Sequence, residues 1–265
     1  MRAMAIAAHA TPLSVAAEPD LTGGRRIGVL LCHGFTGSPI SMRAWGEALG
    51  GQGYAVEVPR LPGHGTTWQE LNKTRWEDWY AEVTRTFDRL CGDNDAVVVG
   101  GLSMGGGLSL RLAADRPDDV AGLVLVNPAV NTDRWDVKLL PVLKHLVGGL
   151  PPIGNDIKKP GVVEQAYDKT PLRAADSMLG GYRALRADLA RITAPILVFK
   201  SVEDHVVDPS SARIIASSVS SRDYEVRPLA DSYHVATMDN DAERIFAESA
   251  AFVARVTAAG PGGTP

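Results

Sequence analysis

From Arg26 onward, short apolar runs alternate with longer amphipathic stretches, and this rhythm limits the folds open to the chain more than any other feature. Strands that read as continuous apolar runs are buried on both faces, which calls for a mostly parallel sheet with helices above and below it. The strand-like runs are 27–32, 55–58, 96–99, 122–126, 196–200 and 224–228. Between them, 41–50 carries Met42, Trp45 and Leu49 at helical spacing, and 75–90 sets Trp76, Trp79, Tyr80, Val83, Phe87 and Leu90 on one stripe. Such a stripe is how a surface helix attaches to a sheet.

The rhythm stops between 131 and 191. Three interruptions rich in Pro and Gly, at 148–154, Pro160-Gly161 and Gly180-Gly181, separate helical pieces there and mark an insertion between two strands. Within it, 137–150 (VKLLPVLKHLVGGL) reads either as a core helix or, with Pro141 in mid-helix, as the lining of a pocket under an inserted cap. The organisation expected is a partly irregular N-terminal segment (1–25), a core of 26–130 and 191–258, a cap over 131–190, and a disordered tail over 259–265.

Composition narrows the function. The 265 residues are 45% hydrophobic and 22% charged, ordinary values for a folded chain. The 27 Lys and Arg against 31 Asp and Glu leave a net charge of −4, with no basic block interleaved with aromatics, so nucleic acid is not an expected partner. Cys32 and Cys91 lack the spacing of a disulfide framework or a zinc site, and His33 and His64 have no ligand-spaced companion, so neither metal nor other cofactor is expected. No run approaches the roughly 18 apolar residues that cross a bilayer. The opening MRAMAIAAHA has too short an apolar stretch for a signal peptide, which makes the cytoplasm the expected location and secretion the lesser alternative. The apolar 137–150 stretch suggests transient contact with a membrane surface.

The chemistry concentrates in Gly101-Leu102-Ser103-Met104-Gly105, a G-x-S-x-G placed directly after the run 96–99 and directly before a helical stretch, 106–115. A tight strand-to-helix turn projects the serine hydroxyl above the sheet edge, at a helix N-terminus that favours developing negative charge. A serine is a poor nucleophile until a base takes its proton. Of six histidines, His234 alone falls in a loop (DSYHVATMDND) after the last strand and before the final helix, 242–256, where the order serine, acid, histidine puts the base. For the carboxylate that orients it, Asp204 after the run 196–200 is the first choice, with Glu203 and Asp208 as competitors. The oxyanion needs two amides, and Met104 after the nucleophile and Phe35 in His33-Gly34-Phe35-Thr36-Gly37 are placed to supply them.

Five segments, LLCHGFTGSP (30–39), PRLPGHGT (59–66), GGLSMGG (100–106), SVEDHVVDP (201–209) and SYHVATMDND (232–241), together resemble the α/β-hydrolases of the bacterial monoacylglycerol lipase and carboxylesterase group, across 26–256. The resemblance implies Ser103, Asp204 and His234 as a triad, the Phe35 and Met104 amides as oxyanion hole, and a cap built from the insertion. It further implies Glu164, in IKKPGVVEQAYDKTP (157–171), and Asn127, in VNPAV, as polar residues around a glycerol headgroup. The expected function is hydrolysis of a small lipid ester, monoacylglycerol foremost, through an acyl-enzyme. A broad medium-chain carboxylesterase or a thioesterase is the alternative within enzymes, and a catalytically silent binding protein the alternative outside them.

Overall fold

The computed structural model describes residues 7–133, 137, 139–152 and 154–258; the expectations for the first six residues and for the tail over 259–265 lie outside the described residues. Seven strands form one sheet: β1 (Leu13–Val15), β2 (Ile27–Cys32), β3 (Ala55–Val58), β4 (Ala96–Leu102), β5 (Val120–Val126), β8 (Ile196–Ser201) and β9 (Tyr224–Leu229), in the order β1-β3-β2-β4-β5-β8-β9. All neighbours run parallel except β1, which lies antiparallel on β3. Within the N-terminal segment, β1 is three residues long, too short to leave a pattern in the sequence.

Side chains along a strand alternate between faces. Val29 and Leu31 of β2 join one core cluster, with Trp45 and Leu49 of α1 (Ile40–Gly50) and Phe252 of α8 (Ala242–Thr257). Leu30 and Cys32 join the other, with Leu71 of the short α2 (Trp68–Leu71), Trp79 and Phe87 of α3 (Trp76–Asp93), Leu108 of α4 (Met104–Asp115) and Leu185 of α6 (Leu172–Asp188). The aromatic stripe read from the sequence thus serves as core, with Trp76, Trp79, Val83, Phe87 and Leu90 all buried and Tyr80 half-buried.

The insertion is smaller than expected. It holds α5 (Leu140–Leu146) and a two-residue antiparallel pair, β6 (Gly149–Leu150) with β7 (Thr170–Pro171). Pro141 sits at the first turn of α5, where its missing N–H costs nothing, and not in mid-helix. The Gly180-Gly181 pair does not interrupt α6, which runs through it. The N-terminal turn of α6 packs with the cap through Leu172 and Ala175, and its C-terminal half, with Tyr182 and Leu185, belongs to the body of the fold. The cap therefore ends near 171 and not at 190. A Cβ on Gly181 would come within 2.2 Å of the Trp76 ring, so glycine is there to let α6 lie against α3.

These neighbouring glycines should respond with opposite signs. Gly181→Ala forces the α3–α6 contact apart and should cost about 1–3 kcal/mol in urea unfolding. Gly180→Ala meets nothing closer than 3.8 Å and should gain about 0.5–1 kcal/mol from helix propensity alone. Equal effects at the two positions would contradict this packing.

Candidate active site

Every loop that carries a sequence-predicted triad residue leaves the carboxyl edge of the parallel strands. β2 lies between β3 and β4, so the chain leaves β2 toward one side and β4 toward the other, opening a crevice at that edge. Ser103 stands between β4 and α4 with φ +56° and ψ −118°, a backbone conformation costly for a residue with a Cβ. The surroundings hold it there. Its N–H donates to the Val126 carbonyl at 3.0 Å, and its carbonyl accepts from Ala129 at 3.1 Å and Gly107 at 3.2 Å. A Cβ on Gly105 would lie 2.0 Å from the Cys32 carbonyl oxygen, so only glycine lets the head of α4 close on the end of β2.

Of the three carboxylates in the loop after β8, the structure brings Asp204 to the histidine. Asp204 Oδ1 lies 3.1 Å from His234 Nδ1, with both side chains almost fully buried. The ring N–H is not aimed straight at that oxygen, so the pair is held at hydrogen-bonding distance without a linear bond. Such bonds often tighten only when substrate is present. Oδ1 also accepts the amides of Val206 (3.0 Å) and Val207 (2.9 Å), and Oδ2 accepts from the Lys200 ammonium at 2.9 Å. Burial would raise the Asp204 pKa, but His234, Lys200 and the Val207 amide outweigh it and hold the carboxyl well below the usual carboxylate range. Glu203 is instead exposed, 3.2 Å from the His205 ring, and Asp208 accepts from the Ser210 amide at the head of α7 (Ser210–Ser218).

Ser103, His234 and Glu164 line a single cavity of about 460 Å³, walled mainly by apolar side chains such as Leu140, Leu143, Leu172, Leu179 and Val207. Gly34 and Phe35 line it beside Ser103, and Met104 heads α4, where the first amides of a helix have no intrahelical acceptor. Glu164 is 4% exposed. Its carboxylate approaches the turn after β2, where a Cβ on Gly37 would lie 2.7 Å from Oε1, and Oε2 accepts the Asn155 amide at 3.3 Å. Burial pushes its pKa up, against the opposing influence of the Asn155 amide and of His234. Of the expected headgroup residues, then, Glu164 faces the cavity.

Asn127 does not. It is fully buried outside the cavity wall, with its Nδ2 donating to Ser201 Oγ (2.9 Å) and to the His234 carbonyl (2.8 Å), and its Oδ1 accepting the Ser201 amide at 2.8 Å. Both ends of the amide are thus consumed in joining the ends of β5 and β8 to the histidine loop, and none is left for a substrate. Three further charged residues escaped the sequence reading. Lys200 stands on Asp204, Asp156 accepts the His234 amide at 3.1 Å, and Asp239 accepts the Tyr233 amide at 2.9 Å. The partner of Asp156 lies 78 residues away, so no local motif signals it, whereas Lys200 and Asp239 act within their own segments, four residues before Asp204 and six after Tyr233. Among the described residues, no cluster of His, Cys, Asp or Glu could hold a metal ion, and no helix is long and apolar enough to cross a membrane.

A serine at a strained strand-to-helix turn, sharing one cavity with a buried histidine that has a carboxylate behind it, defines a serine hydrolase built on the α/β-hydrolase fold. The chain belongs to the Hydrolase_4 family, described as "Serine aminopeptidase, S33", whose model matches residues 24–241. It is similar to the thermostable monoacylglycerol lipase of Bacillus sp. (strain H-257), 40% identical over 250 residues that cover 92% of this chain and 97% of the relative. It is also similar to a carboxylesterase of Bacillus subtilis (strain 168), 28% identical over 235 residues, 87% of this chain and 94% of the relative. A solved structure from work on the metagenome-derived lipolytic enzymes LipS and LipT superimposes with a TM-score of 0.89 at 38% identity, covering 95% of this chain and all of the other.

Beneath the turn after β2, two histidines face each other with ring centroids 4.8 Å apart. His33 Nε2 accepts the Leu61 amide at 3.2 Å while Nδ1 lies 3.0 Å from the Gly34 carbonyl, so the neutral ring protonated on Nδ1 satisfies both. Burial lowers its pKa to about 4, and lowers that of His64 well below the usual histidine value. The unfolded chain therefore binds protons that the native state refuses. Their stabilisation is complete above the unfolded value of 6.5 and is lost as pH falls from there toward 4. For His33 alone this amounts to up to about 3 kcal/mol, at ~1.4 kcal/mol per pH unit. Urea unfolding should accordingly weaken steadily between pH 6.5 and 4.5, and a flat profile over that range would contradict neutral burial.

Proposed function

We infer that the protein hydrolyses carboxylic esters through an acyl-enzyme on Ser103, and that a monoacylglycerol is the substrate its cavity suits best. The observation that carries this is the sharing of one apolar cavity by Ser103, His234 and a buried carboxyl group, Glu164. The apolar walls take the acyl chain, and a cavity of about 460 Å³ is within the range of small-ligand sites, roughly 300–1,000 Å³. Ser103 attacks the ester carbonyl as His234 takes its proton. Asp204 holds the imidazole in orientation and balances the charge it gains. The amides of Phe35 and Met104 receive the oxyanion, His234 protonates the departing alcohol, and water activated by the same histidine releases the acid.

Glu164 is the group that distinguishes this reading from a general carboxylesterase. Among the described residues its carboxyl accepts one weak backbone bond, and it borders the space beside the nucleophile, where the hydroxyls of a glycerol leaving group pair with it. A substrate without hydroxyls leaves that buried group unpaired and is penalised for it. The relatives named as a monoacylglycerol lipase and a carboxylesterase support both readings of the leaving group. Around the cap, Leu139, Val142, Leu146 and Leu150 are exposed apolar side chains, which fits an enzyme that works at a lipid surface from the cytoplasm and touches it transiently.

Hydrolysis of a monoacylglycerol should exceed that of the methyl ester of equal chain length by about tenfold or more, the scale of one unpaired buried polar group. Glu164→Ala should bring the two rates together while leaving methyl ester hydrolysis within about threefold. Ser103→Ala should abolish turnover by at least about 10⁴-fold and with it labelling by a fluorophosphonate. Equal rates on both esters in the unmodified protein would make it a carboxylesterase without glycerol preference; absence of any Ser103-dependent turnover would leave a binding protein on a hydrolase fold.

A further inference from the structure

Carboxylates fasten the cap to the catalytic loops, and one of them, Asp156, reaches both loops at once. Asp156, in the strap that leads from β6 to Glu164, accepts two backbone amides on the same oxygen. His205 N and His234 N each lie 3.1 Å from its Oδ2. Its Oδ1 lies 2.8 Å from the His205 ring, and its own carbonyl accepts the Val235 amide at 3.0 Å. The two amides belong to the residue following Asp204 and to His234 itself. One side chain thus sets the separation of the two loops whose tips must keep Asp204 and His234 in register.

The neighbours of Asp156 extend the joint in both directions. Asn155 Oδ1 accepts the Glu164 amide at 2.9 Å, and the Asn155 amide donates to the Glu164 carboxylate. On the other side, the amides of Lys158 and Lys159 donate to Asp239, at 2.7 and 2.9 Å, and Asp239 is buried in the histidine loop. The α5 limb of the cap is anchored elsewhere, with Lys144 paired to Asp176 of α6 at 2.5 Å, and Val142 and Leu146 on it are exposed.

We propose that Asp156 is a positioning residue of the hydrolase, a clamp reaching out of the cap that fixes His234 against Asp204 by holding the backbones of both loops. This rests on the reading of Ser103, Asp204 and His234 as the catalytic groups. The clamp needs an acceptor oxygen at one place and does not need its charge. Asparagine keeps an oxygen where Oδ2 stands, and its NH₂ can donate to a neutral His205 ring. Glutamate keeps the charge but carries the oxygens one methylene too far to meet both amides. Misplacing a reacting group by ~1 Å costs up to about 10²-fold in rate, which bounds the expected loss.

Steady-state kcat and KM on a soluble short-chain p-nitrophenyl ester, with the rate of Ser103 labelling by a fluorophosphonate, decide the matter. In Asp156→Glu, kcat and the labelling rate should fall by about 30-fold with KM within about twofold. In Asp156→Asn, both should stay within about threefold of the unmodified protein. Asp156→Ala removes the acceptor without adding bulk and should reproduce the glutamate loss, which covers the case in which the longer side chain disturbs folding. Full activity in Asp156→Glu, equal losses in the Glu and Asn variants, or a loss confined to KM each overturn the clamp. Lack of Ser103-dependent turnover in the unmodified protein overturns the parent reading; turnover that survives all three substitutions overturns this one alone.

Discussion

Parallel strands cannot be joined by a hairpin, because the chain must return to the starting end before it can pair again in the same direction. Each strand from β2 to β9 in the main sheet consequently releases its loop at one edge, and that edge gathers residues far apart in sequence. Ser103 follows β4, Asp204 follows β8 and His234 follows β9, while Asn127 at the end of β5 ties the last two together. The reversal of chain direction around β2 adds the crevice into which the turn 33–37 projects. The site is thus a consequence of sheet topology before it is a matter of side-chain choice.

Two buried carboxyl groups that both feel the charge of the same imidazole are pushed in opposite directions. Asp204 meets an ammonium, two amides and His234, and these outweigh the cost of burial and keep it ionised. Glu164 has one long bond from an amide, and burial prevails. An ionised group suits the orientation of a histidine that becomes a cation. Surroundings alone thus separate the acidities of two like groups around one cavity.

The cap divides along the same lines. The strap around 154–165 is bound by carboxylates and amides to the loops that carry Asp204 and His234, and brings Glu164 to the cavity. The limb around α5 packs Leu140 and Leu143 against the start of α6 and Phe35, and pairs Lys144 with Asp176 of α6. Of the two, the strap is the limb whose carboxylates hold the loops of Asp204 and His234.

What the sequence determined by itself was everything that local pattern encodes. The six long strands, the aromatic stripe of α3 and the serine turn were legible because burial on two faces, helical spacing and the Gly requirement of a tight turn leave periodic or adjacent marks. The place of His234, in the loop after the last strand, was legible from the order of the strands. Tertiary structure alone decided among Glu203, Asp204 and Asp208, since all three share one short loop and only direction separates them. It removed Asn127 from the cavity, and it carried α6 through Gly180-Gly181, because the ring that makes glycine necessary there comes from Trp76, far away in the chain. It also supplied Asp156, whose partners at 205 and 234 have no mark near 156. A hydrogen bond between distant segments leaves no periodicity in either of them, and so it is read only after the chain has folded.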